Sequence, residues 1–475
     1  MIALLAIASI PSSGRGAEGE CPPAAPKAKR TQWPSPPEKG AFDIVHFGEG
    51  HWNEGQGPKT MPVLVQDVVR FRPRFVAFSS DIADIGTPDR LGCFRLIMQP
   101  LLSAGIPWFD SPGNHDRVAV AGPGGVASGS IDIWREVFAG MPAPWGDEPA
   151  PGPRFQLPEN EPDDGKGAST HYYFDYGKGR AAVRLIVLDN SQQGLTNSDV
   201  DQYPAVGPGA TDANQLAFLE RAATEAQEKG SLAFVTMHQP TQDPRDPTTV
   251  HPISVNHTMG KGLSPDNLAF DAIASRSGVD AVLLGHIQGN ALYSVGDTRY
   301  FIDGGGGGSP YTTGPTGTDT GYYYGYRLLR IFRSKGEWTY RTYFIPLVDR
   351  IRVTAPKTAA VGDELELAAT AVQPFDPDLP PRLGGAPNEA IEVELRPPAD
   401  GPFRAALPEL AYVWETSDAS VLRPLGAEDD PKSDPIFDPK TMTMSGRFEA
   451  VRPGVAIITV RVGTHTKSLR VQVGR

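Results

Sequence analysis

The sequence predicts an α/β layered domain followed by an all-β sandwich, and three observations carry that prediction. From Phe42 onward, short apolar runs alternate with stretches of helical spacing, the order expected of a layered α/β fold. Each apolar run ends in a polar turn, and in open α/β sheets ligand sites collect at such strand ends. From about residue 349 the texture changes to short alternating runs (IRVTA, ELELAATAV, AYVWETS, AIITVRV, SLRVQVGR) with turn signals between them.

Taken in order, residues 1–17 (MIALLAIASIPSSGRGA) hold an apolar run and then small residues, which reads as a signal peptide. No Lys or Arg precedes the run, which points to a truncated or misassigned start. Residues 18–40 are rich in Pro, Ala and Lys and read as an extended linker. Organised sequence begins with FDIVHF, a buried strand opening into a turn that carries Glu49 and His51. His46 and Asp43 lie within that strand and read as structural. Residues 61–71 have crossover-helix spacing, and residues 75–78 form a parallel-type strand with Asp81 just past its end. A second helix over 89–104 leads into GIPWFDSPGNHD, where Pro112 and Gly113 break the strand and present Asn114, His115 and Asp116. A polar turn satisfying its own backbone gives the same three residues.

Residues 119–167 are Gly- and Pro-rich with one short helix over 131–138. Two strands follow in THYYFDYGKGRAAVRLIVLDNS, with His171 packed among aromatics and Asp189 at the end. A helix over 215–228 precedes LAFVTMHQP, a buried strand ending at His238. The long loop over 240–262 has the character of a functional lid or a flexible segment. Its His251 and His257 either line the site or are ordinary loop histidines. A helix over 268–274 and a strand over 279–284 bring in a turn with His286 and Gln288. The glycine run 304–308 permits close backbone packing or positive φ, but lacks the Lys and following helix of a phosphate-binding loop. Tyr322, Tyr323 and Tyr324 read as packing an edge.

Composition narrows the function classes. The 475 residues are 39% hydrophobic and 21% charged, ordinary for a globular chain with room for two or three domains. The net charge of −12 argues against a nucleic-acid surface. It leaves phosphate chemistry open, because bound cations invert the local sign. Two cysteines are too few for a disulfide framework, and Cys93 follows the apolar rhythm of Leu91, Phe94, Ile97 and Leu101, the position of a small buried helix residue. Glu20 before Cys21 does not fit a lipid-attachment box. No stretch after the N-terminus reaches 18 apolar residues, so no transmembrane anchor is expected.

The strand-end residues Glu49, His51, Asp81, Asn114, His115, Asp116, His238, His286 and Gln288 supply nitrogen and oxygen donors with no thiolate. Such a set suits Mn, Fe, Zn or Mg rather than a structural zinc site. One carboxylate shared between two cations is a common way to build a two-metal hydrolytic centre.

These blocks resemble the calcineurin-like metallophosphoesterases, whose motifs run D-x-H, G-D-x-x, G-N-H-D/E, H and G-H-x-H. The resemblance spans about residues 42–346 and includes YYFDYG, LIVLDNS, QLAFLERA and YFIDGGGG. Three positions depart from it: Glu49 for Asp, Ser80 for Gly and Gln288 for His. The resemblance implies a β-sandwich flanked by helices over residues 41–348. It places Asp81, Asn114, His238 and His286 around one divalent ion, and Glu49, His51, Asp81 and Gln288 around a second, which the longer Glu49 and the neutral amide of Gln288 are expected to weaken. It gives His115 the task of protonating or stabilising the leaving oxygen, Asp116 that of orienting His115, and a metal-bound hydroxide that of nucleophile. Asp84 stands where purple acid phosphatases carry a tyrosine ligand. In residues 349–475, VGDELELAAT, VWETSDASVL and GRFEAVRPGVAIITVRVGTHTKSLRVQV resemble a bacterial immunoglobulin-like domain of group 2. Together these imply an exported, periplasmic or cell-surface phosphoesterase acting on a phosphate mono- or diester of a small molecule or macromolecule, with cell-surface contact through the second domain. Two other readings stay open: a degenerate member holding one metal and an anionic ligand without turnover, and a surface adhesion protein.

Overall fold

The computed structural model describes residue 21 and residues 37–52, 57–116, 131–138, 155–156, 171–177, 182–190, 212–241, 265–288, 290–308, 324–347, 350–372, 413–425, 437–438, 443–462 and 465–475. Up to Pro346 the elements run β1 (Phe42–Phe47), α1 (Gly57–Phe71), β2 (Val76–Phe78), α2 (Pro88–Ser103), β3 (Trp108–Asp110), α3 (Asp132–Val137), β4 (Phe155–Gln156), β5 (Tyr172–Tyr176) and β6 (Val183–Val187). They continue with α4 (Asp212–Glu228), β7 (Leu232–Thr236), α5 (Pro265–Arg276), β8 (Ala281–Leu284), β9 (Asn290–Val295), β10 (Thr298–Asp303), β11 (Gly325–Ser334) and β12 (Glu337–Pro346).

Two mixed sheets result. The first has the order β12-β11-β1-β2-β3, parallel between β1, β2 and β3 and antiparallel at β11 and β12. The second has the order β4-β5-β6-β7-β8-β10-β9, with a parallel centre from β6 to β10. Alternate residues of each central strand feed different cores. Ile44, Ala77 and Phe109 of the first sheet share one cluster with Leu185, Phe234, Leu283 and Phe301 of the second. Val45, Val76 and Phe78 face α1 and α2 on the far side, while Val235, Val282 and Leu284 face α4 and α5. Strands buried on both faces read as continuous apolar runs, which is why they were legible as parallel-type strands.

Local chemistry sets the helix ends. In α2 the Thr87 hydroxyl accepts the Arg90 N–H at 3.4 Å, Pro88 sits at the first turn, and Asp89 complements the helix dipole. Residues 325–346, to which the sequence reading assigns no strand, form the β11–β12 hairpin. Its turn is Lys335-Gly336, both at positive φ, as a two-residue hairpin turn requires.

Cys93 is buried in α2 as expected, but it is not a free packing residue. It is disulfide-bonded to Cys21, 72 residues away, with the Cα atoms 5.5 Å apart. A single bridge between distant cysteines leaves no spacing pattern, so the count alone did not reveal it. Tyr324 lies in the α1–α2 core rather than along an edge, while Tyr322 and Tyr323 fall outside the described residues.

From Arg350 onward the regular elements among the described residues are all strands: β13 (Arg350–Thr354), β14 (Thr358–Ala360), β15 (Glu364–Val372), β16 (Val413–Thr416), β17 (Leu422–Pro424), β18 (Phe437–Asp438), β19 (Thr443–Ala450), β20 (Gly454–Val462) and β21 (His465–Gly474). One sheet follows β13-β15-β19-β17 and the other β14-β21-β20-β16. Leu365, Leu367 and Phe448 of one sheet share a core with Ala456, Ile458 and Val471 of the other. The C-terminal part is therefore all-β. No described helix is long and apolar enough to cross a membrane.

Candidate metal centre

Both sheets contribute to one site from the C-terminal ends of adjacent strands. In the first, Glu49 and His51 follow β1, Asp81 follows β2, and Asn114, His115 and Asp116 follow β3. In the second, His238 follows β7 and His286 and Gln288 follow β8. All nine side chains predicted from the sequence lie in these turns. The backbone marks the same place: Glu49, His51, Ser80, Asp81 and His286 have positive φ, leaving only Arg72 and Lys335 elsewhere among the described non-glycine residues. Such conformations cost about 1–3 kcal/mol each and concentrate at functional sites. Ser80, at φ 54°, shows why a glycine suits that position, and its hydroxyl donates to Asp116.

The half built on His238 is closely converged. Its Nδ1 lies 2.8 Å from the Ser79 carbonyl, which only accepts, so Nδ1 carries the proton. Its Nε2 then faces Asn114 Oδ1 at 2.8 Å, His286 Nδ1 at 3.0 Å and Asp81 Oδ2 at 3.3 Å. Asp81, His238 and His286 form one group able to hold a metal ion.

The half built on His51 is looser. His51 Nε2 lies 3.2 Å from Glu49 Oε2 and 3.7 Å from Asp81 Oδ2. Gln288 turns its amide nitrogen, not its oxygen, toward His51 Nε2 at 3.2 Å. Glu49 is divided, because its Oε1 accepts the backbone N–H of His286. His51, Asp81 and His115 form the second group able to hold a metal ion. Asp81 belongs to both.

Asp116 does not meet His115 as the resemblance implied. One of its oxygens accepts from Ser80 Oγ and the Gly113 N–H, the other from the Ile82 N–H. The group against His115 is Asp84, whose backbone carbonyl lies 2.8 Å and whose carboxylate 3.8 Å from Nδ1. His115 is tied to the centre by its own N–H, which donates to Asp81 Oδ1 at 2.9 Å.

A divalent cation fits the charges present. Glu49, Asp81, Asp110 and Asp116 are all at most 1% exposed. Their partners among the described residues are histidines, Ser80, Trp134 and backbone N–H groups. Burial and the Asp81 charge raise Glu49 above its ordinary value and push Asp116 up to about 6. Burial and the Asp116 charge raise Asp110 well above the usual carboxylate range. Burial works against the Asp81 anion too, yet His238, His115 and His51 pull its carboxyl below its usual value. Burial opposes a charge on His238, but Asp81 and Glu49 raise it to about 9. The same acceptors that draw positive charge toward His238 Nε2 suit a cation at that place. Buried charge of one sign needs such a counter-ion.

Two residues that the sequence reading did not single out, Ser79 and Asn190, shape the centre, and so does Asp84, noted there only as a departure from a tyrosine ligand. Ser79 supplies the carbonyl that fixes His238. Asn190, just past β6, accepts the N–H groups of His238 and Gln239 at 3.0 Å each and donates to the Gln239 carbonyl at 2.7 Å. Asp84 stands against His115. Asn190 carries the same signal as the residues that were found, a polar side chain at a buried strand's end. The glycine run packs closely: Gly306 N–H and Gly308 N–H donate at 2.9 Å to the carbonyls of Gly48 and Glu49. A Cβ on Gly307 would stand 2.1 Å from the Gly50 oxygen, so the run serves close approach, with none of its φ angles positive.

The residues read as structural stay away from the ligand set. Asp43 pairs with Arg330, and His46 bonds Asp303 and Ser79. His171 packs edge-on to Phe218, and burial lowers its pKa to about 4. His251 and His257 lie outside the described residues.

Comparison with known proteins gives a family match and distant structural likenesses. Residues 42–289, just over half of the chain, match the calcineurin-like phosphoesterase family. No curated protein matches the chain. Among solved structures, it is similar to GAP50 of Plasmodium, titled the anchor in the inner membrane complex, at 12% identity and TM-score 0.39, covering 64% of this chain and 84% of that one. A predicted phosphoesterase of Streptococcus pneumoniae is 11% identical with TM-score 0.23, covering 64% of this chain and 90% of that one. Domains 4 and 5 of the S-layer protein SbsC are 10% identical with TM-score 0.18, covering 31% and 58%.

Proposed function

The chain belongs to the calcineurin-like phosphoesterase family of metal-dependent phosphoester hydrolases, and from that premise we propose that it hydrolyses a phosphate mono- or diester at a two-metal centre. The observation that carries this reading is Asp81, whose carboxylate is common to both groups able to hold a metal ion. Asp81, Asn114, His238 and His286 would hold one ion. Asp81, His51 and Glu49 would hold the other, with Gln288 joining them once its amide turns to present oxygen. Divalent ions bound there supply Lewis-acid polarisation of the phosphoryl oxygens and make a water acidic at neutral pH.

The chain's own residues do the rest. The Asp84 carbonyl takes the His115 Nδ1 proton, so Nε2 of the doubly protonated ring is the atom that would give a proton to the leaving oxygen as the phosphorus–oxygen bond breaks, leaving the neutral imidazole. Asp116 is a positioning residue: it locks the backbone of Gly113 to that of Ile82 and so holds the turn carrying Asn114 and His115 against Asp81. Phosphorylated small molecules or macromolecules are the substrate class.

The domain scheme follows the sequence: a signal peptide over 1–17, a linker over 18–40, the phosphoesterase domain over 41–348 and an immunoglobulin-like domain over 349–475. Two β-sheets sharing one core support the last of these. Export to the periplasm, cell surface or medium is supported by the Cys21–Cys93 disulfide, since such bonds persist in oxidising compartments. The loose His51 half favours a second reading, a protein that holds one ion and an anionic ligand without turnover. Metal analysis of the purified chain, with turnover of generic mono- and diesters, separates the two. Hydrolysis that EDTA abolishes and Mn restores supports the enzyme; one tightly held ion and no turnover at saturating Mn supports the binder.

A further inference from the structure

Behind the centre lies a second buried network, which the chemistry above does not use. Arg327 on β11 and His46 on β1 are cross-strand neighbours in the first sheet. Asp303, at the end of β10, comes from the second sheet. The Arg327 guanidinium donates to both Asp303 oxygens, Nε at 2.9 and 3.1 Å and Nη2 at 2.9 Å, and lies 4.3 Å over the Phe301 ring. His46 Nδ1 meets Asp303 Oδ2 at 2.8 Å, and His46 Nε2 meets Ser79 Oγ at 3.1 Å. Arg327, Asp303, His46 and Ser79 are all fully buried.

The direction of each hydrogen bond follows from the groups involved. Burial resists the Asp303 anion, but Arg327 and His46 hold its carboxyl below the usual range, so it accepts. The Asp303 carboxylate only accepts, so His46 Nδ1 carries the proton between them, and burial holds the ring below its ordinary value. Its Nε2 therefore accepts from the Ser79 hydroxyl, and the Ser79 carbonyl accepts from His238 Nδ1. The Asp303 carbonyl also accepts the Gly48 N–H at 2.9 Å, at the start of the turn carrying Glu49 and His51. One acid thus touches the approaches to both halves of the centre. A buried ion pair is weak evidence for stability, since well-packed apolar residues serve as well. Specific geometry behind a ligand set is what such a pair does supply.

We propose that Arg327, Asp303 and His46 form a positioning tie that holds the two ligand-bearing sheets in register and fixes, through Ser79, which ring nitrogen His238 offers to a divalent cation. The proposal rests on the metal centre described above. It is distinct from that centre, because none of these residues is a ligand and the tie is complete without an ion.

The test uses the full chain, titrated with Mn by calorimetry, and amide hydrogen exchange of the metal-free protein. Asp303→Asn is expected to weaken Mn binding by about 10- to 100-fold, the range for residues that hold a metal ligand in place. It is also expected to lose exchange protection in residues 46–52 and 236–241 while α2 and the C-terminal strands keep theirs. At saturating Mn, kcat returns to within about tenfold of the unmodified protein, because the lost interaction acts on metal affinity. Since Asp303→Asn leaves Arg327 buried without its partner, Ser79→Ala is the milder companion. It keeps the carbonyl, removes the link to His46, and is expected to weaken Mn about tenfold. Unchanged Mn affinity and unchanged exchange in either folded variant overturns the tie, and so does protection lost evenly along the chain. If the unmodified protein takes up no Mn, the metal-centre reading fails, and the tie is then judged by exchange alone. Loss confined to the two segments supports it, and no loss overturns it.

Discussion

The two halves of the centre share Asp81 but are built to different standards. Around His238 Nε2, three donor atoms from three turns converge within 3.3 Å, and the ring's other nitrogen is fixed by a carbonyl. Around His51 Nε2 stand a carboxylate at 3.2 Å whose second oxygen is committed to the His286 backbone and an amide that presents nitrogen. The difference coincides with the two ligand departures seen in the sequence, Glu49 and Gln288. A carboxylate one methylene longer reaches across to the neighbouring turn, and a neutral amide is a poorer donor to Zn or Fe than an imidazole. The donors of one half are thus already converged, while those of the other are turned toward other partners.

The largest expected effect removes the comparison altogether. Asp81→Ala should abolish turnover and strip both ions, because this carboxylate belongs to both halves; two ions still bound tightly in that variant would sink the shared-ligand account. Next comes His115→Ala, which should lower turnover by about two to four powers of ten through loss of proton transfer, with little loss of metal. His115 also falls in one of the two metal-capable groups. A variant that lost one ion and kept its rate per remaining ion would therefore move His115 from proton donor to ligand. The smallest effect sharpens the comparison: Gln288→His should tighten the weaker half and reduce the Mn needed for half-maximal activity, by about tenfold if imidazole simply replaces the amide. No change in the Mn requirement would show that residue 288 does not reach the ion.

Much of the centre was legible because strands buried on both faces announce themselves and their ends carry polar residues. That logic found Asp81, Asn114, His238 and His286 at the ends of β2, β3, β7 and β8. It failed where a role depends on direction rather than presence. Asp116 follows His115 in the chain, yet its oxygens point back to Ser80, Gly113 and Ile82, and Asp84 from another turn faces the ring. Ser79 contributes a backbone carbonyl, which no side-chain pattern encodes. The β11–β12 hairpin went unread because its turn is Lys-Gly rather than Asn-Gly or Asp-Gly, although both residues adopt the required positive φ. Asp303 pairs with Arg327 and His46 from the other sheet, partners 24 and 257 residues away in the chain, so no local pattern marks it.

The most direct test of unequal halves is Mn titration of the metal-free, unmodified chain by calorimetry, with hydrolysis of a generic phosphodiester followed at each addition. Two binding phases are expected: a tight one assigned to the His238 half, and a weaker one assigned to the His51 half, with activity rising alongside the second. Two equally tight ions, or full activity once the first phase is complete, would contradict the account.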